Sequence, residues 1–392
     1  MSIDRSGGTP GAGRPLEGIR VVDLSRVLAG PYATQLLGDL GAEVWKIERP
    51  QGGDETRAWG PPFVGGESAY YLAVNRNKRS AALDFEKPEH LAALRAAIGR
   101  SDIVVENFVP GDLARFSLHA AALRAAHPPL IVCSITGFGQ DGPYAHLPGY
   151  DAVLQGFTGL MSVTGEASGG PLKVGVAVVD ILTGAHAFGA MLAALVGRLR
   201  GGGGTTIDIS LFEVGVAALS NLAQAALVTG EPARRYGNAH AQIVPYQTFE
   251  ASDGALVVAV GNDAQWQRLC AALELGDLAR DPSLARNPGR LARRGEILPV
   301  IARRLTQRPR AEWLERLRVA RVPAGPVRDL GEVMADPALA ARGMVQAATL
   351  PHPNTSVRLM AAPWLADGAR PSIQLPPPRL GQHTQEFLAR FG

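Results

Sequence analysis

The sequence predicts an α/β protein: a large Rossmann-like, doubly wound parallel-sheet domain followed by a smaller α+β domain. Three observations carry that prediction. Short apolar runs rich in Val and Ile alternate with helical stretches over roughly the first 210 residues, the pattern of successive βαβ units. Beyond residue 211 the alternation gives way to a hairpin pattern and Arg-rich helical segments, which marks a second unit. The chain has 392 residues, 46% of them hydrophobic and 19% charged, which is enough apolar material for more than one core and too little charge for a disordered chain.

Taken in order, residues 19–24 read as a strand, 31–40 as a helix with Pro31 in its first turn, and 43–48 as the second strand. The pattern continues with an extended segment at 79–85, a helix at 88–98, a strand at 103–106, a helix at 113–126 and a strand at 130–135. A long apolar helix over 183–199 runs into Gly201, Gly202, Gly203 and Gly204, which cap and turn the chain before a strand at 205–210. A helical stretch reaches residue 229, and a hairpin joins 246–250 to 256–260 around Ser252, Asp253 and Gly254. Helical segments fill 263–320, and Pro376, Pro377 and Pro378 make a stiff extended connector. The expected limits are a disordered tail at 1–15, a large domain at 16–225, a small domain at 226–330, and a segment at 331–392 that returns to the large domain.

Composition removes several function classes. Lys+Arg 39 against Asp+Glu 36 leaves a net charge of +3 with no basic block, so nucleic acid is not the expected partner. A few converging Arg and Lys side chains suit a local anionic ligand such as a nucleotide phosphate. Cys133 and Cys270 stand isolated, which argues against a disulfide framework or structural zinc and fits a reducing cytoplasm. The Gly/Pro/Ser-rich N-terminus lacks the apolar segment of a secretory signal. The apolar stretch at 181–196 is short for a bilayer and contains His186, so a buried helix is expected and no membrane association.

The first βαβ invites a dinucleotide reading, because Glu48 ends the second strand where a ribose-binding acid would sit. Residues 28–33 carry no GxGxxG, however, and Pro31 removes a backbone donor that a pyrophosphate would need. The glycines at 201–204 lack the Lys-Ser/Thr of a P-loop, and the eight histidines show no zinc-ligand spacing, so no metal is expected. Asp180 stands out, in an apolar run that opens into the long helix. It reads either as a helix N-cap or as a nucleophile that apolar neighbours dehydrate and the helix N-terminus keeps ionised. Local chemistry alone favours the cap.

Further signals lie along the chain: 24–41 with Ala29, Gly30 and Pro31; 43–50; Asn75 to Ser80; Val105 to Phe108; Gly137 to Gly139; and Leu380 to Thr384. In this order and spacing they resemble the class III (CaiB/BaiF) coenzyme A transferases, the family of formyl-CoA transferase, carnitine CoA-transferase and α-methylacyl-CoA racemase. The resemblance runs from about residue 16 to the C-terminus. It implies the family's interlocked homodimer and coenzyme A as a substrate, with no permanently bound cofactor. It places Asp180 on the family's nucleophilic aspartate and brings Arg49 and Arg115 to the CoA phosphates. Leu28, Ala29, Leu83, Phe85, Asn107 and Phe108 flank the CoA on the same ground, and Tyr150 and Asp151 line the thioester pocket.

Tyr150 stands where racemase members carry a histidine base, and a phenol with an ordinary pKa near 10 is a poor substitute for one near 6.5. Leu28 replaces a glutamine of formyl-CoA transferase, and residues 236–249 are similar to the succinate-hydroxymethylglutarate CoA-transferase branch. The resemblance thus implies transfer of CoA from succinyl-CoA or another dicarboxyl-CoA to an acceptor acid, through an acyl-aspartyl anhydride and an aspartyl-CoA thioester. The acceptor's distal carboxylate needs a cation, and Arg57, Arg76 and His240 are the candidates. A racemase or epimerase, a non-catalytic acyl-CoA-binding paralogue and an oxidoreductase stay open as alternatives.

Overall fold

The computed structural model describes residues 14–351 and 355–392, so all but the last two residues of the expected tail at 1–15 lie outside the described residues. The chain divides into two compact units. The larger comprises the residues up to Leu160, Val174–Gly230 and Pro337–Gly392; the smaller comprises Met161–Lys173 and Glu231–Asp336. The stretch 161–173, read from sequence as part of the large domain, belongs to the smaller unit.

The larger unit is built on six parallel strands: β1 (Arg20–Asp23), β2 (Glu43–Glu48), β3 (Lys78–Ala82), β4 (Ile103–Glu106), β5 (Ile131–Thr136) and β6 (Thr206–Ser210). Their spatial order is β3-β2-β1-β4-β5-β6. Helices cover both faces, so successive strand residues enter opposite cores: Val22 and Val104 pack with Trp45, Leu94 and Ile98, while Val21 and Val105 pack with Leu37, Met191 and Leu195. That double burial is why the strands read as continuous apolar runs. Helix α1 (Ala29–Asp39) links β1 to β2, and α2 (Pro88–Gly99) links β3 to β4. The helix expected at 113–126 is interrupted. A single turn at Ala114–Phe116 ends at Ser117, whose φ of 53° leaves the helical region, and helix resumes only at Ala120–Ala126.

A short helix, α3 (Asp151–Phe157), went unread in the sequence, and the long helix α4 (Val178–Leu199) begins five residues before the expected start at 183. By length and composition α4 is apolar enough to cross a bilayer. It is not buried all round, as expected, but along one stripe that includes Val179, Thr183, Ala187, Met191 and Leu195, while Val196 and Leu199 are exposed. The last helix, α5 (Thr384–Phe391), returns to the edge of the sheet, where Phe387 and Phe391 pack edge-on against Trp45 at 5.2 and 6.2 Å. The smaller unit carries an antiparallel sheet of β7 (Tyr246–Ala251), β8 (Gly254–Ala259) and β9 (Ala324–Pro326), with β8 in the middle. Its core gathers Trp266, Trp313, Leu269 and Ile301 from three helices over that sheet.

Candidate active site

Crossovers leave β1 and β4 in opposite directions, and a crevice opens beyond the carboxyl ends of these neighbouring strands. One cavity there is lined by Leu28 and Ala29 after β1, Asn107 and Phe108 after β4, Tyr150 and Asp180. A second cavity gathers Arg49, Leu83, Phe85, Phe108 and Arg115. Arg26 and Phe108 line both.

The loop after β1 is held in a costly conformation. Val27, a β-branched residue, has φ of 70°, a class of strain worth about 1–3 kcal/mol. Its neighbours over-determine it. Asn107 Nδ2 donates to Arg26 O at 2.8 Å while Arg26 N donates to Asn107 Oδ1 at 2.9 Å. The Val27 amide faces the Asp54 carboxylate at 3.3 Å, and fully buried Lys46 donates to both Asp54 Oδ2 at 2.8 Å and Ser25 O at 2.9 Å. Asn107 therefore fixes the rim of the cavity as well as lining it.

Asp180 is the third residue of α4 and does not cap it; the N-cap position is Ala177. Asp151 supplies the capping instead: its Oδ1 accepts from the amides of Val179 at 2.8 Å and Asp180 at 3.2 Å, and its Oδ2 accepts from Gln155 Nε2 at 2.6 Å. Asp151, expected among the pocket-lining residues, thus sits behind the cavity wall and holds the start of α4. Gly184, one turn beyond Asp180, lets α4 approach α1, since a Cβ there would meet Ala29 O at 2.5 Å. These contacts leave the Asp180 side chain 9% exposed. Burial, with the negative charge of Asp151 added, pushes its carboxyl up to about 7. Burial and the like charge thus act against the lowering that the sequence suggested from the helix N-terminus.

The profile of CoA-transferase family III matches residues 16–384. The chain belongs to CoA-transferase family III. Its curated relatives include a succinate–glutarate CoA-transferase of Agrobacterium fabrum, 44% identical over 383 residues and covering 96% of each chain. A human succinyl-CoA:glutarate CoA-transferase is 41% identical over 376 residues, covering 96% of this chain and 85% of the relative. A crystal structure of a CaiB/BaiF family protein from Brucella suis superposes with a TM-score of 0.84 at 41% identity, covering 97% of this chain and 100% of that one. This family III transferase is an enzyme that uses CoA thioesters as substrates.

The three residues nominated for a substrate carboxylate all have protein partners in this structure. Arg57 is buried and donates to Glu48 through Nε at 2.8 Å and Nη2 at 2.7 Å, to Glu67 at 2.7 Å and to Tyr71 Oη at 2.6 Å. Arg76 forms a buried two-pronged pair with Asp39 at 2.9 and 2.5 Å. His240 belongs to the smaller unit, where it stacks on Tyr246 and its Nδ1 faces the Gln242 amide at 3.0 Å. Glu48, which suggested a ribose-binding acid, is the counter-ion of Arg57. The CoA-directed candidates fare differently. Arg115 is exposed, lies over the Phe116 ring at 4.3 Å and pairs with exposed Glu86 at 2.9 Å, a weak contact that a phosphate can displace. Phe85 and Phe116 form an edge-on aromatic wall at 5.5 Å, and Arg49 anchors the opposite rim through Gly53 O at 3.0 Å. Tyr150 is 58% exposed at the cavity mouth. Arg26 escaped the sequence reading, although its place directly after a central parallel strand is a signal for ligand contact.

Proposed function

We propose that this family III enzyme moves CoA between dicarboxylic acids, with a dicarboxyl-CoA such as succinyl-CoA as donor, and that Asp180 carries the acyl group and then CoA. The observation that supports this most is a buried carboxylate lining a cavity beyond the ends of the central strands, with no cation paired to it among the described residues. A carboxylate stripped of water is a stronger nucleophile, and acylation removes the charge that burial disfavours.

An Asp180 oxygen attacks the donor thioester carbonyl; the C–S bond breaks, leaving a mixed anhydride and CoA thiolate. The thiolate attacks the aspartyl carbonyl, the anhydride C–O bond breaks, and the donor acid departs as its carboxylate. Aspartyl-CoA thioester remains. The acceptor carboxylate attacks that thioester and expels thiolate, which then takes the acceptor acyl group and frees Asp180. No net proton is exchanged. Each oxyanion needs preorganised donors. The first turn of α1 has no side-chain cap among the described residues, and Leu28 and Ala29 line the same cavity as Asp180. The amides of Ala29 and Gly30 supply that stabilisation in this reading, roughly 3–4 kcal/mol per donor. Arg49 and Arg115 bind the nucleotide phosphates.

A cytoplasmic homodimer with no permanent cofactor completes the reading; free, buried Cys133 and Cys270 support a reducing compartment. The glutarate acceptor is suggested by the names of the two relatives. Asp180→Ala should cut succinyl-CoA-dependent transfer by a thousandfold or more, roughly, with CoA affinity retained. Hydroxylamine added during turnover should modify Asp180 only when acyl-CoA is present. Transfer at the wild-type rate in the Ala variant would sink the covalent role.

A further inference from the structure

The helix that carries Asp180 does not secure its own first turn. Ala177, at the N-cap of α4, has only a methyl group, so its side chain offers no acceptor to the leading amides. The residues that enter the helix, Val174 to Ala177, belong to neither helix nor strand, and Gly175 and Val176 are exposed. An acid in that first turn moves with the chain that leads into it. Its place therefore depends on contacts from outside α4.

Those contacts converge on Gln155, which is fully buried on α3. It stands one turn after Asp151, so the two side chains leave the same face of that helix. Gln155 Nε2 donates to Asp151 Oδ2 at 2.6 Å and to Val176 O at 3.2 Å, while its Oε1 accepts from the Val174 amide at 2.8 Å. The other oxygen of Asp151 accepts from the Val179 and Asp180 amides. One side chain thus grips the start of α4 twice, directly through the entering backbone and indirectly through the carboxylate that caps the helix. Both amide hydrogens and the amide oxygen of Gln155 are engaged, and a buried network with its members satisfied is stiff.

We infer that Gln155 is a positioning residue for Asp180, fixing the first turn of α4 at the place where its carboxylate meets the thioester. This rests on the role of Asp180 proposed above. Gln155 lines neither cavity, so it acts on the reaction through that turn and not by touching substrate. An attacking oxygen must come within roughly 3–3.5 Å of the carbonyl carbon, and a misplacement of about 1 Å costs on the order of a hundredfold in rate.

The test compares Gln155→Leu, Gln155→Glu, Asp151→Asn and the double variant Asp151→Asn/Gln155→Glu with wild type. kcat and KM are measured for transfer from succinyl-CoA to glutarate, CoA affinity by calorimetry, folding by thermal unfolding, and hydrogen exchange over residues 174–180 by mass spectrometry. Gln155→Leu should lower kcat by roughly ten- to a hundredfold and speed that exchange, with KM and CoA affinity within about threefold of wild type. Gln155→Glu sets two carboxylates face to face and should lose at least about tenfold. Asp151→Asn sets two amide donors face to face and should lose about threefold. In the double variant donor and acceptor trade places: the new amide at 151 donates to the new carboxylate at 155, whose second oxygen still accepts from the Val174 amide. Its kcat should return to at least that of Asp151→Asn, a recovery that also decides the matter should Gln155→Leu fail to fold. An unchanged kcat in Gln155→Leu, or a raised KM with kcat retained, would overturn the assignment. So would a double variant no faster than Gln155→Glu. Should wild type transfer no CoA, the proposed function fails by itself. Exchange over 174–180 then still decides the role of Gln155, since faster exchange in Gln155→Glu that the double variant reverses upholds it and unchanged exchange overturns it.

Discussion

Beneath the loop after β1, the buried acids face cations, while the acid near the start of α4 faces another acid. Asp23 accepts from Lys78 at 3.1 Å and from Thr34 at 2.5 Å, Asp54 from Lys46 at 2.8 Å, and Glu48 from both prongs of Arg57. Burial would raise all three carboxyls, but the neighbouring Lys and Arg charges outweigh it: Asp54 is held down to about 2, and Asp23 and Glu48 lie below their ordinary values. Asp180 is desolvated in the same way and has Asp151 as its charged neighbour, so burial wins and its carboxyl rises to about 7. Dehydration is common to the two regions. The counter-ion separates the scaffold carboxylates, which are quenched, from Asp180, the one proposed above to react with a thioester.

The comparison breaks first at Lys46. Lys46→Met leaves Asp54 buried without its cation and releases the strained Val27 loop, so urea unfolding should show a loss of about 3–5 kcal/mol; a loss below about 1 kcal/mol would mean that the pair is not needed. Asp180→Asn should act in the opposite direction. Asp180 titrates near 7 in the folded chain and near 4 when unfolded, so the folded state holds its proton more tightly and stability falls as pH rises between those values. The Asn variant escapes that loss. Its stability gain over wild type should be near zero below pH ~4, grow through neutrality and level off above pH ~7 at no more than about 4 kcal/mol. A gain independent of pH would contradict the raised carboxyl.

Arg57→Lys tests the quenched side more gently. It gives up the two-pronged contact with Glu48 and should lower stability by about 1–3 kcal/mol, with the preference among acceptor acids unchanged. A changed preference would return Arg57 to the substrate. Asp151→Asn is the smallest perturbation. The amide oxygen still accepts from the Val179 and Asp180 amides, but the like charge is gone, so the acid limb of kcat/KM should move to lower pH. The shift should stay under about one pH unit, because burial is the larger cause of the raised carboxyl.

Legibility followed the range of the interactions. Strands at 43–48 and 103–106 were readable to the residue, since their apolar character comes from burial on both faces. The break at Ser117 was not, because the helical pattern runs on through a residue whose backbone leaves the helix. Asp180 could be nominated, yet its cap reading failed for a reason lying 29 residues upstream, where Asp151 already occupies the amides. Arg57 and Arg76 looked available because sequence shows a charge and not its partner; Glu48 lies nine residues away from one and Asp39 37 residues away from the other.

The chain alone determined its alternation of strand and helix, the absence of dinucleotide and P-loop motifs, and the family to which its ordered motifs belong. These depend on residue type and spacing, which local geometry reads directly. The tertiary structure decided which charges cancel and which stay without a counter-ion. Desolvation and Coulomb energy vary with the distance between groups that the fold, and not the order of the chain, sets beside each other.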